Sequence, residues 1–179
     1  MKIHAIDALV PFYGENGSNC TWAITEDGEK AEQKFNIRTA MKKVYEYYQV
    51  DIGAYRKQLT GSLGNVAIPF HAREGKTYIL LKMRDSIGKD DGAYGWVNIH
   101  GINKLTPCGK STVIKLNSGI EINIIMKAST VQKRINNGLT AATLLGKAHP
   151  WKDDSLSRPV VLGDIVELCE KINLLLDKE

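Results

Sequence analysis

Residues 111–117 and 120–126 constrain the fold of this chain more than any other part of the sequence. Both runs are rich in β-branched side chains, and they meet at Gly119, which adopts the positive φ of a tight turn at no steric cost. The two runs predict a β-hairpin. Val113 and Ile122 mark apolar faces of that hairpin that other parts of the chain must cover, because an isolated hairpin is barely stable in water.

The remaining elements follow from the same kind of pattern. Further strands are predicted at residues 20–25, 77–83 and 95–100. Residues 26–28 predict a hairpin turn after the first of these, and the alternation within 95–100 predicts a strand with one buried face. Helices are predicted near residues 39–48, 130–145 and 162–176. The chain is therefore predicted to have an α+β fold with mostly antiparallel strands.

The helix at 39–48 is predicted to begin with Thr39 as its N-cap. Its tyrosines could stack on nucleic-acid bases, but aromatic residues at helical spacing more often pack into a core. Residues 53–64 are predicted to form a glycine-spaced loop, which would leave Arg56 and Lys57 accessible.

The helix at 130–145 is predicted to open with a capping box formed by Ser129 and Gln132. Its apolar stripe is predicted to consist of Val131, Ile135, Leu139 and Ala142. The opposite side, facing solvent or a ligand, is predicted to consist of Lys133, Arg134, Asn137 and Thr140. Gly138 predicts a kink or fraying within this helix.

Length and cysteine content predict one intracellular domain. A chain of 179 residues can bury a single core, so residues 1–179 are predicted to form one α+β domain. Residues 160–176 would be a helical appendage or a dimerisation element, or would pack within the domain. The sequence shows no signal peptide and no membrane-spanning run, and its three cysteines lie far apart, so we expect a cytoplasmic protein with reduced thiols.

Positive charge is concentrated in one segment. The net charge of the chain is only +4, but residues 101–152 contain eight basic side chains and a single acid, Glu121. Such a segment attracts a phosphate backbone through screened Coulomb forces and counterion release. It could equally be a solvated basic face that keeps the protein soluble.

No motif for catalysis or metal binding is complete. Residues 109–112 read Gly-Lys-Ser-Thr like the end of a P-loop, but Lys104 stands where that motif needs its first glycine, and a strand follows instead of a helix. His100 and Cys108 lack an oriented partner, the histidines are scattered, and the acids of 85–91 do not match a calcium loop. We therefore predict no enzyme activity, no cofactor and no metal.

The order of several short motifs in residues 37–146 resembles the bacterial competence transcription factor family, ComK. These motifs are Gly53 with Arg56-Lys57, the extended segment with Pro69, the strand from Tyr78 to Leu81, Gly95-Trp96-Val97, the hairpin 112–125, and the helix that follows Lys127. The N-terminal thirty residues do not share the likeness. The resemblance implies a sequence-selective regulator of transcription that acts on A/T-rich promoter DNA, partly through the minor groove.

Charge and resemblance together predict a binding site for double-stranded DNA, A/T-rich by the resemblance. The residues predicted to contact phosphates or a narrow groove are Arg56, Lys57, Lys110, Lys127, Lys133 and Arg134, and Asn137 is predicted to read a base edge. A homodimer is a further expectation, whereas a membrane or a small-molecule substrate is not expected. Three alternatives remain open: a module that binds an acidic protein, a protein that binds RNA or single strands, and a small enzyme.

Overall fold

The computed structural model describes residues 1–64, 67–88 and 91–146, which form nine strands and three α-helices. The strands are β1 (Ile6–Tyr13), β2 (Asn19–Thr25), β3 (Lys30–Gln33), β4 (Phe70–Arg73), β5 (Lys76–Lys82), β6 (Tyr94–Asn98), β7 (Ile102–Cys108), β8 (Ser111–Leu116) and β9 (Glu121–Ile124). The helices are α1 (Ile37–Tyr47), α2 (Ile52–Leu63) and α3 (Ala128–Gly146). The predicted α+β class with antiparallel strands is confirmed. The predicted helix at 162–176 and the roles suggested for 160–176 lie outside the described residues.

A six-stranded antiparallel sheet in the order β3-β2-β1-β6-β5-β4 forms the centre of the unit made by residues 1–146. Its strands send alternate side chains to opposite faces, so neighbours such as Tyr78 and Ile79 belong to different hydrophobic clusters. The first face packs against α1 and α2. The second face packs against the other sheet, in the order β7-β8-β9. Both faces of the large sheet are therefore buried.

The three-stranded sheet contains the predicted hairpin, which is confirmed in β8 and β9. Gly119 has a φ of 86° in the turn, as the hairpin requires. The buried residues Ile114, Ile122 and Ile124 point toward the large sheet. Val113 points away from the large sheet and is only half-buried. The three-stranded sheet therefore packs against the large sheet with one of its two sides only.

Helix α3 packs against β4 and β5 at one edge of the large sheet and contributes to both clusters. Val131, near its start, lies in the second cluster, and Ala141, near its end, lies in the first. Gly138 permits this packing because a Cβ at that position would lie 3.1 Å from Ile79 Cγ2. Residues 1–146 form one compact unit around these clusters.

The predicted orientation of α3 is partly wrong. Leu139, assigned to the apolar stripe, is 49% exposed, whereas Gly138 is buried in its place. The helix begins at Ala128, and Gln132 Nε2 donates to Asn136 Oδ1 (3.1 Å) along the exposed side, so no reciprocal capping bond marks Ser129 as the start. The buried stripe of α3 is rotated relative to the prediction because Gly138, which has no side chain, lets the helix approach β5 most closely at that position.

The predicted loop at 53–64 is also wrong, because these residues form α2. Asp51 Oδ1 accepts hydrogen bonds from the backbone N–H groups of Gly53 (2.8 Å) and Ala54 (3.2 Å) and so caps the helix. Tyr55 and Leu59 are buried against the large sheet. A cap and a packed face together outweigh the cost of about 1 kcal/mol that each internal glycine imposes.

Helix α1 confirms the prediction at 39–48 but begins earlier than predicted. Asn36, and not Thr39, is its N-cap, because Asn36 Oδ1 accepts from the N–H of Thr39 (2.9 Å). The rings of Tyr45 and Tyr48 lie 4.8 and 6.4 Å from that of Phe70, measured between centroids. These two tyrosines therefore pack with the core, as predicted.

Residues 95–100 were predicted to form a strand with only one buried face, and a buried polar network explains why this prediction was wrong. In β6, Asn98 is as buried as its apolar neighbours, and its Nδ2 donates to Asp7 Oδ1 (2.9 Å). Lys76 Nζ lies 3.5 Å from the same oxygen and 3.2 Å from Glu26 Oε2. Asp7 stands at a β-bulge in β1, which turns its side chain toward this network. The polar residue Asn98 in the alternating pattern of β6 is therefore buried and hydrogen-bonded, and it does not mark a solvent-exposed face.

Candidate nucleic-acid interface

The predicted site residues do not share one layer of the fold. Arg56 and Lys57 are exposed on α2, which covers the first face of the large sheet. Lys110 lies in the turn between β7 and β8, on the layer that covers the second face. The sheet itself separates these two groups of basic residues.

Lys110 and Lys127 lie at the same end of the three-stranded sheet. Thr112 Oγ1, two residues after Lys110, donates to the carbonyl oxygen of Met126 (2.8 Å), next to Lys127. The turn between β7 and β8 contains Gly109 with a φ of 62°. Both lysines are exposed, so their ammonium groups are accessible to a ligand.

The three predicted site residues of α3 have different surroundings. Lys133 is exposed and Asn137 is half-buried. Arg134, predicted to face solvent, turns inward: its Nη1 donates to the carbonyl oxygen of Leu80 and its guanidinium lies 5.7 Å from the ring centroid of Tyr94. Burial lowers the pKa of the Arg134 guanidinium, and Tyr94 partly offsets this effect. The Arg134 side chain therefore covers the edge of β5 at Leu80, past the point where the pairing of β5 with β4 ends.

The side of the three-stranded sheet that faces away from the large sheet forms an open surface. We call it the outer sheet face and define it by alternate residues in register across the strands. Its first row is Lys104, Lys115 and Glu121; its second row is Thr106, Val113 and Asn123; its third row is Cys108 and Ser111, to which Ile125 is added by continuing the alternation of β9 one residue past its end. Six of these nine residues are exposed polar, charged or thiol side chains, and Ile125 is 37% exposed. The apolar residues that lie between them in sequence are turned to the core.

Charge on the outer sheet face is unbalanced. Lys104 and Lys115 stand directly opposite each other in register, and like charges in that position destabilise a sheet. Within the described residues, neither lysine has a carboxylate within 4 Å, nor do Lys110 and Lys127. Glu121, the single acid of this face, is the cross-strand partner of Lys115, so the first row carries a net charge of +1. An anionic partner would relieve the repulsion that the folded chain leaves in place.

Sequence reasoning missed the outer sheet face because it missed β7. Asn103 occupies a register irregularity at the start of that strand, and Pro107 interrupts it near the end, so its alternation is obscured. Lys115 and Asn123, in contrast, alternate visibly with Ile114 and Ile122. That alternation was the available signal for the outward residues of the hairpin.

The candidates for other chemistry are not brought together. The described residues contain no group of three or more His, Cys, Asp or Glu side chains that could hold a metal ion. Two open grooves of about 360 and 390 Å³ lie beside α1, and neither is lined by His or Cys. No helix of the described residues has the length and apolarity needed to cross a bilayer.

Among the described residues, Asp91 is the carboxylate whose pKa is most perturbed, and its role is structural. Tyr13 Oη (2.6 Å), Asn19 Nδ2 (2.7 Å) and the N–H of Gly88 (2.7 Å) all donate to it. These hydrogen bonds, with the Tyr13 bond strongest, lower the pKa of Asp91 to about 2. The carboxylate thus joins β1, β2 and the loop after β5.

Comparison with known proteins adds no relative to these observations. A scan against protein-family models finds no match to the chain, and a search of curated proteins finds none of significant similarity.

Proposed function

We propose that this protein is a DNA-binding regulator of transcription that holds duplex DNA against the outer sheet face. Lys104, Lys110, Lys115 and Lys127 would contact phosphates. The observation that carries the proposal is the pair Lys104 and Lys115, held opposite each other in an open sheet with one acid in their row, Glu121, and no ion pair within 4 Å.

Counterion release gives such a surface its affinity for a duplex. Each phosphate that a lysine neutralises releases condensed cations, and this favours binding at low salt without any sequence preference. Residues 101–146 contain six basic side chains and one acid, so little within this segment opposes the attraction. Strands are known to dock in either groove of DNA, so a sheet is a suitable element for this role.

The chemistry of the outer sheet face favours a duplex over a single strand. Proteins that bind single strands place aromatic rings where bases can stack. None of the nine residues of this face is aromatic. Single-stranded DNA or RNA is therefore expected to bind only through its phosphates, and more weakly.

The likeness to the competence transcription factor family supports the regulatory part of the proposal. It implies a bacterial cytoplasmic protein that acts on A/T-rich promoters, and we propose the same for this chain. Arg56 and Lys57 belong to this family likeness but lie on the helical layer, so they are not assigned to the same contact surface. Lys133, exposed on α3, is retained as an additional phosphate contact.

The experiment is a fluorescence anisotropy titration of labelled duplex DNA at several salt concentrations. The wild-type chain, K104A/K115A, R56A/K57A and a matched control, K42A/K43A on α1, are compared. We expect K104A/K115A to reduce the slope of log affinity against log salt by about 1.8, because each phosphate contact contributes about 0.9. The control should retain the wild-type slope.

Two results would contradict the proposal. One is an affinity of the wild-type chain that is absent or independent of salt. The other is an equal loss of affinity in K104A/K115A and K42A/K43A, which would indicate that net charge matters and the outer sheet face does not. Retention of an acidic protein in preference to duplex in a competition assay would favour the protein-interaction alternative.

A further inference from the structure

We infer that the free edge of β3 binds the same edge of a second copy of this chain, with Lys30 of each copy opposite Glu32 of the other. The two strands would run antiparallel and join the large sheets of both copies into one continuous sheet. This surface is separate from the outer sheet face, and the inference does not rest on the proposed function.

Strand β3 forms an open edge of the large sheet. It pairs with β2 on one side, and no strand among the described residues pairs with its other side. The opposite edge of the sheet, at β4, packs against α3. Lys30 and Glu32 are exposed, and Ala31 between them is half-buried. Such an edge presents backbone donors and acceptors that a further strand can use.

The hydrogen bonds between β2 and β3 determine which backbone groups of β3 are free. The N–H of Thr25 donates to the carbonyl oxygen of Glu29 (3.0 Å), at the turn that joins the two strands. Because hydrogen-bonded pairs alternate along an antiparallel ladder, Ala31 directs its N–H and C=O groups toward β2. Its neighbours Lys30 and Glu32 therefore direct theirs toward the open edge.

One register pairs these free groups with their counterparts in a second copy. When the twofold axis passes beside Ala31, Lys30 lies opposite Glu32 of the second copy, and Glu32 lies opposite Lys30 of the second copy. Each of these two pairs exchanges two N–H···O=C bonds, so four backbone hydrogen bonds join the copies. Both side chains lie on the second face of the sheet, because Lys30 pairs with Ile24 of that cluster. Each lysine is thus next to a carboxylate of the other copy.

Charge excludes the neighbouring registers. A shift of two residues keeps the free backbone groups paired, but in one direction it places Lys30 opposite Lys30 of the second copy. In the other direction it places Glu32 opposite Glu32. Like charges directly opposite each other destabilise a sheet. An edge with charges of one sign would repel a second copy in every register, whereas the alternating signs of β3 favour one.

The two charged side chains are available for this pairing. Among the described residues, neither Lys30 nor Glu32 has an oppositely charged group within 4 Å. Lys30 Nζ lies 4.3 Å from the ring centroid of Trp22. An ammonium group has three donors, so this contact leaves donors for a carboxylate.

Sedimentation velocity of the full chain over a range of concentrations measures the self-association. We expect the wild type to dimerise reversibly. E32K and K30E each convert both ion pairs between the copies into like-charge pairs, so each variant should dimerise about tenfold more weakly or less. E74K, in the exposed turn between β4 and β5 at the opposite edge, makes the same charge change as E32K and should dimerise like the wild type.

A mixture of the two variants tests the register. In a heterodimer of K30E with E32K, both facing pairs again have opposite charges. The equimolar mixture should therefore form dimers at a concentration at which neither variant does so alone. The double variant K30E/E32K restores opposite charges within one chain and should dimerise like the wild type.

E32P tests the backbone pairing. It removes an N–H that points to the open edge, and proline is tolerated at such a position of an edge strand because the bonds to β2 remain. We expect the dimer to weaken about tenfold or more while the far-ultraviolet circular dichroism of the chain stays that of the wild type.

Three outcomes would overturn the inference. One is a wild-type chain that stays monomeric at the highest soluble concentration. Another is a dimer that E32K and E32P do not weaken, which would locate the interface elsewhere, for example at residues 160–176. The third is a mixture of folded K30E and E32K that recovers no dimer. All of these measurements are made without DNA, so none of them decides the proposed function.

Discussion

Lys76 Nζ lies 3.5 Å from Asp7 Oδ1 in the interior, where the side chains of Lys76 and Asp7 are only 7% and 4% exposed. The lysine also donates to the carbonyl oxygen of Ile6 (3.2 Å), and Asn98 donates to the aspartate. Because two buried charges are stable together only when paired and hydrogen-bonded, this pair fixes the relation of β1 to β5 across β6.

We expect K76M to destabilise the fold by about 3–5 kcal/mol, because it leaves the Asp7 carboxylate buried without its cation. The double variant K76M/D7N should recover a large part of this loss. Urea unfolding followed by circular dichroism measures both. If K76M were nearly neutral, the ion pair would not be formed in solution.

Substitution of two glycines by alanine should have different effects. G61A, in α2 where nothing lies within 4 Å of the added Cβ, is expected to raise the free energy of unfolding by about 0.5–1 kcal/mol. G138A gains the same helix propensity but forces a methyl group against Ile79, so it should be at least about 1 kcal/mol less stable than G61A. Equal stabilisation in thermal melts of the two variants would show that α3 does not approach β5 this closely.

Stability should fall as pH rises above about 10. Burial raises the pKa of Tyr45 and of Tyr55 to about 12, and it raises that of Tyr78 as well. The unfolded chain ionises these phenols near pH 10 while the folded chain keeps them protonated, so each contribution is lost between the two values. The expected loss is about 1 kcal/mol per tyrosine by pH 11, measured by urea unfolding at pH 8 to 11.

The variant Y45F tests the cause of that loss, because it removes one buried phenol and should flatten the alkaline decline. Y47F, which changes a half-exposed ring on the same helix, serves as its control. A stability that stays constant from pH 9 to 11 in the wild type would refute the prediction.

Relief of the lysine pair on the outer sheet face should stabilise the free protein and weaken DNA binding. K104T removes the charge opposite Lys115, leaves the cross-strand pair Lys115–Glu121 in place and introduces a residue that favours strands, so we expect a gain of about 0.2–1 kcal/mol at low salt. The gain should shrink at high salt as screening increases. K110T, in the turn, should show no comparable gain, and a loss of stability in K104T would argue against the repulsion.

Sequence alone predicted the elements whose signals are local. The hairpin of β8 and β9 was evident because its alternation and its turn glycine lie within fifteen residues. Helix α2 was missed because Gly61 and Gly64 suggested a loop. The evidence for a helix is the burial of Tyr55 and Leu59 against distant strands, which exists only in the folded chain.

The candidate site was predictable in its charge but not in its arrangement. The basic character of residues 101–152 is a property of composition and was recognised. Which lysines share a surface depends on β7, whose pattern Asn103 and Pro107 conceal. The inward turn of Arg134 toward Leu80 depends on the open edge of β5, a tertiary feature that no helical periodicity contains.

The strand order has a consequence for how a nascent chain acquires this structure. Leu9 pairs with Trp96, so the inner edge of β1 has no partner until nearly a hundred residues have been synthesised. Contacts between residues so distant in sequence give a high contact order and slow folding. During that interval the β1–β2 hairpin exposes an unpaired apolar edge, which makes the incomplete chain a substrate for chaperones and prone to association with its own copies.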